Sequence, residues 1–516
     1  MPLLSHKRVA RKKNTHAQPL VPRRRRRRRR PTRAPAGLRM TPTYLRQPPP
    51  AQPPKPPEQP PAGDGGPPVY GRDLGNAQLK RLLWRAGFGP RPGDVDALAG
   101  KPLADIVQSL TRPQGEATLN GPDPVVKGGP IAPFDAWGHD HLWWLDRMVR
   151  TSNPLVERMT LIWHDWFATS NDVVGDPHRM IDQNELFRAN ALGSFKDLVV
   201  GVTQDPAMLI WLNGIDNRRK APNENYAREL MELFTLGTGR GAYSEDDVRQ
   251  LALALTGWRA DWVDGSGWQN FRYDATRHDT STKTVFGKSG NFDWRDACTL
   301  VLENSSHASF FVTKLWSYFV PTPPDGPTQA ALQQLYVGSG YGIRPVVEAI
   351  LMHPDFHDGA AMVKPPVVYT AGLLRTLGRA IDREDWTWLS DEAGQQLFYP
   401  PNVSGWDDSA WLDTSTWRGR FQIAAYAFAP YGSWSGTVDP WKTAYSKTED
   451  ADTALARAID FMNNPTLTAD SRDSLAAFAG GCLPATMASW EQGPNRAMRQ
   501  NALRQLIATA PDYQTC

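Results

Sequence analysis

The chain has 516 residues with 58 Lys and Arg against 54 Asp and Glu, a formal charge of only +4. That near-balance hides a basic segment: residues 1–68 carry 17 basic and 2 acidic residues, which leaves 41 basic against 52 acidic residues in 69–516. An acidic body argues against a dedicated nucleic-acid-binding domain, whose footprint is a basic face, and three cysteines with no CxxC give neither a disulfide framework nor a zinc site.

Residues 1–68 also hold 17 of the 45 prolines, so they are expected to form a disordered tail that buries no core. "PRRRRRRRRP" (22–31) could dock on nucleic acid or anionic lipid by releasing counterions, but a charge run without other basic elements is only compositional evidence, and nucleic-acid contact is not expected. Translation upstream of a true start at Met40 is the alternative account. A twin-arginine export signal needs an apolar run after the arginines, whereas "PTRAPAGLRMTPTYLRQPPP" follows. No cleaved signal is therefore expected, which points to the cytoplasm, or to export if the N-terminus is mis-assigned. No stretch approaches the 18 or so apolar residues of a membrane span, and residues 47–68 read as a polyproline spacer.

The body reads as helices. In "NAQLKRLLWRAGFGPRPGDVDAL", Asn76 is placed to cap, Leu79, Leu82 and Leu83 make an apolar face, Gly87 and Gly89 end the run, and a second helix follows Pro92. "NPLVERMTLIWHDWFATS" (153–170) has Asn153 as N-cap, Pro154 at the first helical position, and Met159, Ile162, Trp163, Trp166 and Phe167 at helical spacing. In "YSEDDVRQLALALTGW" (243–258), Ser244 caps, Asp247 completes a capping box, Val248, Leu251, Ala252 and Leu255 face the core, and Gly257 terminates. Similar segments recur at 307–319, 328–337, 344–353, 364–379, 418–428, 452–463 and 497–509, and only 268–287 is strand-like. The class is mainly α: a multi-helix globular body over 69–516, one large helical domain with at most a short β-hairpin. The 20 tryptophans are read as packing between helices rather than as sugar platforms.

"NENYARELMELFTLGTG" (223–239) puts Glu224, Arg228 and Glu232 in one helical row, with Asn225 and Glu229 in a second row beside it and Tyr226, Leu230, Leu233 and Phe234 opposite. Such rows form ordinary surface ion pairs, unless they face a cavity, where a charge held between carboxylates usually marks a role. His164 and Asp165 lie on the 153–170 helix with Glu157 two turns before; a histidine with carboxylates nearby is a metal ligand, a general base, or simply a satisfied half-buried residue. "RHDTSTK" offers His278, Asp279 and Lys283, either as a polar loop site or as a turn whose Asp bonds its own backbone. "GKSG" (287–290) lacks the upstream glycine of a phosphate loop, and no GxSxG elbow occurs.

Taken in order, "LLWRAGFGPRPGDVDAL", "ERMTLIWHDWFATS", "NENYARELMELFTLGTG" with "YSEDDVRQLALALTGWR", "FRYDATRHDTSTKTVFG", "HASFFVTKLWSYFV", "PDFHDGAAMVKPPVVYTAGLLRTLG", "GQQLFYPPNVSGWDDSAWLDTSTWRGR" and "LRQLIATAPDYQ" resemble a bacterial family catalogued as domain of unknown function 1800. The resemblance runs from about residue 76 to the end. It implies an uncharacterised protein of a kind often exported and often encoded beside a family that resembles sulfatases and alkaline phosphatases. This chain departs from it in lacking an export signal and in carrying Phe234 where the family commonly has His. Because the 223–236 helix, His164 with Asp165, the 278–283 loop and "PPNVSGW" are hallmark stretches, the resemblance favours one shared polar pocket with the charged row facing inward.

The expectation is a hydrolase-like enzyme. Glu224, Glu229 and Glu232 would serve as acid/base groups or ligands of a divalent metal, Arg228 would position an anion, and His164, Asp165, His278, Asp279 and Lys283 would be their partners. A metal is admitted but not required, and the partner is unknown unless it is a neighbouring gene's product. The alternatives are a non-catalytic helical scaffold that binds a partner protein and a carbohydrate-binding protein using tryptophans of the 404–417 loop.

Overall fold

Helices make up most of the described residues of this computed structural model, which are 66–428, 449–488 and 492–516. The expected basic tail and most of the polyproline spacer lie outside them. The helices expected from periodicity appear as His307–Ser317, Gly326–Gly338, Ile343–Met352, Pro366–Leu377, Thr414–Phe428, Ala451–Phe461 and Gln492–Thr509. None of the described helices is long and apolar enough to cross a membrane.

Local chemistry sets the helix starts. Ser244 and Asp247 form the expected capping box: the Asp247 N–H donates to Ser244 Oγ at 3.2 Å and the Ser244 N–H donates to Asp247 Oδ2 at 2.8 Å. Pro154 occupies the first turn of the helix Pro154–Trp166, where its missing N–H has no partner to lose. Asn153 is the N-cap, as expected, although its side chain accepts from Ser152 Oγ rather than from the helix, whereas Asn76 is the first helical residue of Asn76–Arg85 rather than its cap, which is Gly75. Asn76 is thus displaced by one residue from its expected place, the Gly75 O accepting the first intrahelical bond from the Leu79 N–H.

Among the described residues the strand content is three antiparallel two-stranded ribbons. The expected strand-like stretch 268–287 divides between two of them. Gly267–Tyr273 pairs with Trp258–Val263, and Lys283–Val285 pairs with Lys288–Gly290.

Among the described residues two hydrophobic cores result. One gathers Met159, Ile162, Trp163, Trp166, Leu230, Phe234, Phe311 and Ile350; the other gathers Leu142, Leu161, Tyr369, Leu373, Trp386 and Ile423. The Pro154–Trp166 helix contributes to both because it is apolar on more than one face, which buries it nearly all round. The Pro366–Leu377 helix is likewise enclosed, and Gly372 is the reason Trp84 can pack on it, since a Cβ there would run into the indole and lie 2.9 Å from Phe88 O.

Candidate functional site

The polar feature that draws distant hallmark stretches together is Asp165, on the last turn of the Pro154–Trp166 helix. Its Oδ2 accepts from the Tyr318 hydroxyl at 2.7 Å and its Oδ1 from the Trp406 N–H at 2.9 Å. Trp406 follows Gly405, whose left-handed φ of +89° and missing Cβ let the "PPNVSGW" loop press against the carboxylate; a Cβ there would collide with Asp165 Oδ1. Lys314, one helical turn before Tyr318, adds its charge. Its Nζ lies 4.5 Å from the centre of the Trp166 ring and 5.7 Å from that of Phe310, and donates to Leu233 O at 3.0 Å.

Burial pushes the Asp165 carboxyl above its ordinary range, against the Tyr318 and Trp406 hydrogen bonds that favour the anion. The same burial pulls the Lys314 ammonium down to about 8, with Asp165 opposing the fall, and raises the Tyr318 phenol well above normal. Arg158, seven residues before Asp165 on the same helix, is 3% exposed, and its Nε has no hydrogen-bond partner among the described residues. Burial lowers its guanidinium to about 10, while charges at Cys516, Tyr318 and Asp165 push back.

The 223–236 helix reaches this centre through its backbone. After Asn225–Glu229 it widens into a π-helix, Leu230–Thr235, in which the Leu236 N–H bonds Met231 O at 2.8 Å. The carbonyls left at its end are each met by a side chain: Leu233 O by Lys314, Phe234 O by Trp166 Nε1 at 3.0 Å, Thr235 O by His307 Nδ1 at 2.8 Å, and Leu236 O by Arg240 Nη1 at 3.1 Å. Cationic donors suit the negative end of a helix dipole, and π-turns concentrate at functional positions. The Phe234 ring is buried against Phe167 and Tyr226.

The nine expected site residues fall into three sets, with no hydrogen bond or ion pair between sets among the described residues. In the first, Arg228 pairs with Glu224 at 3.2 Å, with Glu232 at 3.3 Å and, through two bonds of 2.8 and 2.9 Å, with Glu245. Arg228 is 30% exposed and Glu245 64% exposed, so this row is a solvent-side network rather than the expected inward-facing wall. The Arg228 guanidinium holds its proton more tightly through its Glu245 bonds, which also hold Glu245 below the usual carboxylate range. Glu229 is half-buried beside Glu232, and burial raises its carboxyl.

The second set separates into its two members. Asp165 belongs to the centre just described, whereas His164 points into an aromatic cage of Trp144, Phe187, Phe398 and Trp406, with its Nε2 lacking a partner among the described residues. Burial pulls His164 down to about 3, so it is neutral at physiological pH. Glu157 does not face it: this carboxylate is held by Arg188 at 2.5 and 3.0 Å and by Trp144 Nε1 at 3.2 Å.

The third set is a self-contained clip. His278 Nδ1 lies 3.0 Å from Thr256 O, the Ser281 N–H donates to Asp279 Oδ1 at 3.0 Å, and the fully buried Lys283 donates to Asp279 O at 2.5 Å and Ser281 O at 3.0 Å. Burial would raise Asp279, but the Ser281 hydroxyl and N–H outweigh it and hold the carboxyl low. Burial lowers the Lys283 ammonium. This is the turn that bonds its own backbone.

No group of three or more His, Cys, Asp or Glu side chains among the described residues is placed to hold a metal ion, so the expected ligand set does not assemble. The 404–417 loop does not display sugar platforms either: Trp406 is buried and Trp411 and Trp417 are half-buried. Lys314, Tyr318 and Arg158 were absent from the sequence-derived set. Their signal was present, however: a single lysine inside the aromatic "FFVTKLWSYF", a tyrosine four residues on, and an arginine seven residues before Asp165.

Compared with known proteins, residues 81–515 match the model of a family described as "Protein of unknown function (DUF1800)". No curated protein matches, and no solved structure does.

Proposed function

For a chain that belongs to the DUF1800 family, we propose an acid–base enzyme of the hydrolase class whose reacting groups are Asp165, Lys314 and Tyr318. One observation carries the reading: an aspartate of the Pro154–Trp166 helix meets a desolvated lysine and a phenol from residues 314–318, with the Trp406 N–H and the Leu233 carbonyl completing the group, at side chains that are only partly buried. Opposed environments suit acid and base roles, because a lysine lowered to about 8 exchanges its proton near neutral pH. Lys314 is the proton-transfer group, Asp165 and Tyr318 orient the reacting oxygen and share its charge, and Arg158 supplies a positive field. The Arg228 row keeps the helix beneath the site in place.

A panel of p-nitrophenyl esters, phosphates and sulfates, assayed from pH 6 to 10, tests this. The expected result is turnover of one class with a limb near pH 8, lost about 100-fold or more in Lys314→Met and Asp165→Asn. Turnover that both variants retain would overturn the assignment of these residues. No turnover by the folded protein would favour the second reading, a non-catalytic scaffold, for which the specific support is that both Asp165 oxygens already have donors.

A further inference from the structure

In this sequence glycine follows asparagine only twice, at Asn120–Gly121 and at Asn213–Gly214. Such pairs are chemical weak points, because a glycine nitrogen with no side chain in its way is free to approach the amide carbon of the asparagine before it. The fold treats the two pairs in opposite ways. Asn213 is locked: its backbone is left-handed with φ at +58°, and its Oδ1 accepts from Asn225 Nδ2 at 3.0 Å. Gly214 opens the short helix Gly214–Asp216 and is buried so closely that a Cβ would lie 2.6 Å from Leu209 Cδ2. The turn of backbone needed to bring Gly214 N onto the Asn213 side chain has no room.

Asn120 stands open. It and Gly121 are both exposed, and a Cβ on Gly121 would meet nothing within 4 Å. The chain is pinned up to Asn120: the Ser152 N–H donates to Thr118 O at 2.8 Å, and the Asn120 N–H donates to Arg150 O at 2.9 Å. The Gly121 N–H, by contrast, has no hydrogen-bond partner among the described residues, so nothing has to be broken before it reacts. Thr118 Oγ1 donates to Asn120 Oδ1 at 3.4 Å, which draws electron density away from the amide carbon.

We propose that Asn120 is a site of spontaneous covalent modification, deamidation through a cyclic imide. The Gly121 nitrogen gives up its proton to hydroxide and attacks Asn120 Cγ. The N–Cγ bond forms, the Cγ–Nδ2 bond breaks, and Nδ2 takes a proton from water and leaves as ammonia. Water then opens the imide at one carbonyl or the other, giving aspartate or isoaspartate. Either product places a carboxylate where the amide was, in a cavity of about 300 Å³ that Asn120 lines together with Arg91, Arg150 and Arg375. The new charge therefore appears beside guanidinium groups rather than in an apolar setting. The isoaspartyl form also lengthens the main chain by a methylene group between the Asn120 N–H and the Gly121 carbonyl. Those two groups hold Arg150, the carbonyl accepting from its Nη1 at 3.2 Å.

The test is to incubate the full chain for days in mildly alkaline buffer, native in one arm and in guanidinium chloride in the other. Peptide mapping by mass spectrometry, with aspartyl and isoaspartyl forms separated, then follows both pairs. In the native arm Asn120 is expected to convert about tenfold or more faster than Asn213, because only the latter needs local unfolding first. In guanidinium chloride, where the fold no longer distinguishes them, the two pairs are expected to convert at similar rates. Equal rates at the two pairs in the native chain would overturn the inference. So would an Asn120 that stays intact in the native chain while it converts in guanidinium chloride.

Discussion

Lys314 loses its hold on a proton because burial against Trp166 and Phe310 outweighs the attraction of Asp165. Its folded value of about 8 lies below the ordinary 10.5, so between those values the unfolded chain binds the extra proton. The burden this charge places on stability is full below pH 8 and lifts as the pH rises toward 10.5. Urea unfolding of Lys314→Met is therefore expected to show a stability difference from wild type that shifts against the variant between pH 8 and 10; a flat difference would mean a lysine titrating as in water. His164 works in the acid range. Lowered from 6.5 to about 3 by burial, it leaves the folded protein one proton short below pH 6.5, so stability falls as the pH drops. His164→Phe, which keeps the aromatic contacts and removes the unpartnered Nε2, is expected to flatten that acid slope by up to about one proton. Loss of folding in this variant would reveal a partner for Nε2.

Among the elements, the helix starting at Ser244 shows how much of the fold can be read locally. Its cap, its acidic first turn and its buried Val248, Leu251 and Ala252 all follow from ten residues of sequence. Removing the cap with Ser244→Ala is expected to cost about 1 kcal/mol, seen as a lower melting temperature. Arg228→Ala, by contrast, is expected to cost about 0.5 kcal/mol or less, with the effect fading in high salt, because its network meets water. The helices His139–Arg150 and Pro177–Ala189 were not legible in the same way. Their buried faces include charged or amide groups such as Asp146, Arg150, Gln183 and Asn184, which break apolar periodicity. Asp146 bonds Arg150 at 3.0 Å within its own helix, while the Asp205 partner of Gln183 comes from elsewhere in the chain. Sequence spacing cannot distinguish such interior polar groups from a solvated face.

For the molecule as a whole, glycines at close approaches hold the arrangement. Gly372→Ala would drive a methyl group into Trp84 and is expected to cost about 1–3 kcal/mol or more. Gly405→Ala faces both a left-handed φ and the Asp165 carboxylate, so its expected effect is loss of the Trp406 bond to Asp165, with activity falling before the helical circular dichroism does. A variant with full activity would remove the loop from the site.

The sequence by itself determined the mainly helical class, the capping of the helix at Ser244, the placing of Pro154 and the family, because each depends on neighbours within a few turns or on an ordered set of short motifs. It also singled out Asp165 and the 278–283 turn. Only the tertiary structure decided which polar residues meet. Tyr318 reaches Asp165 across 153 residues of chain and Trp406 across 241, while Arg228 turns outward to Glu245. A helical row has the same spacing whether it faces water or a cavity, and what covers it is set by segments hundreds of residues away.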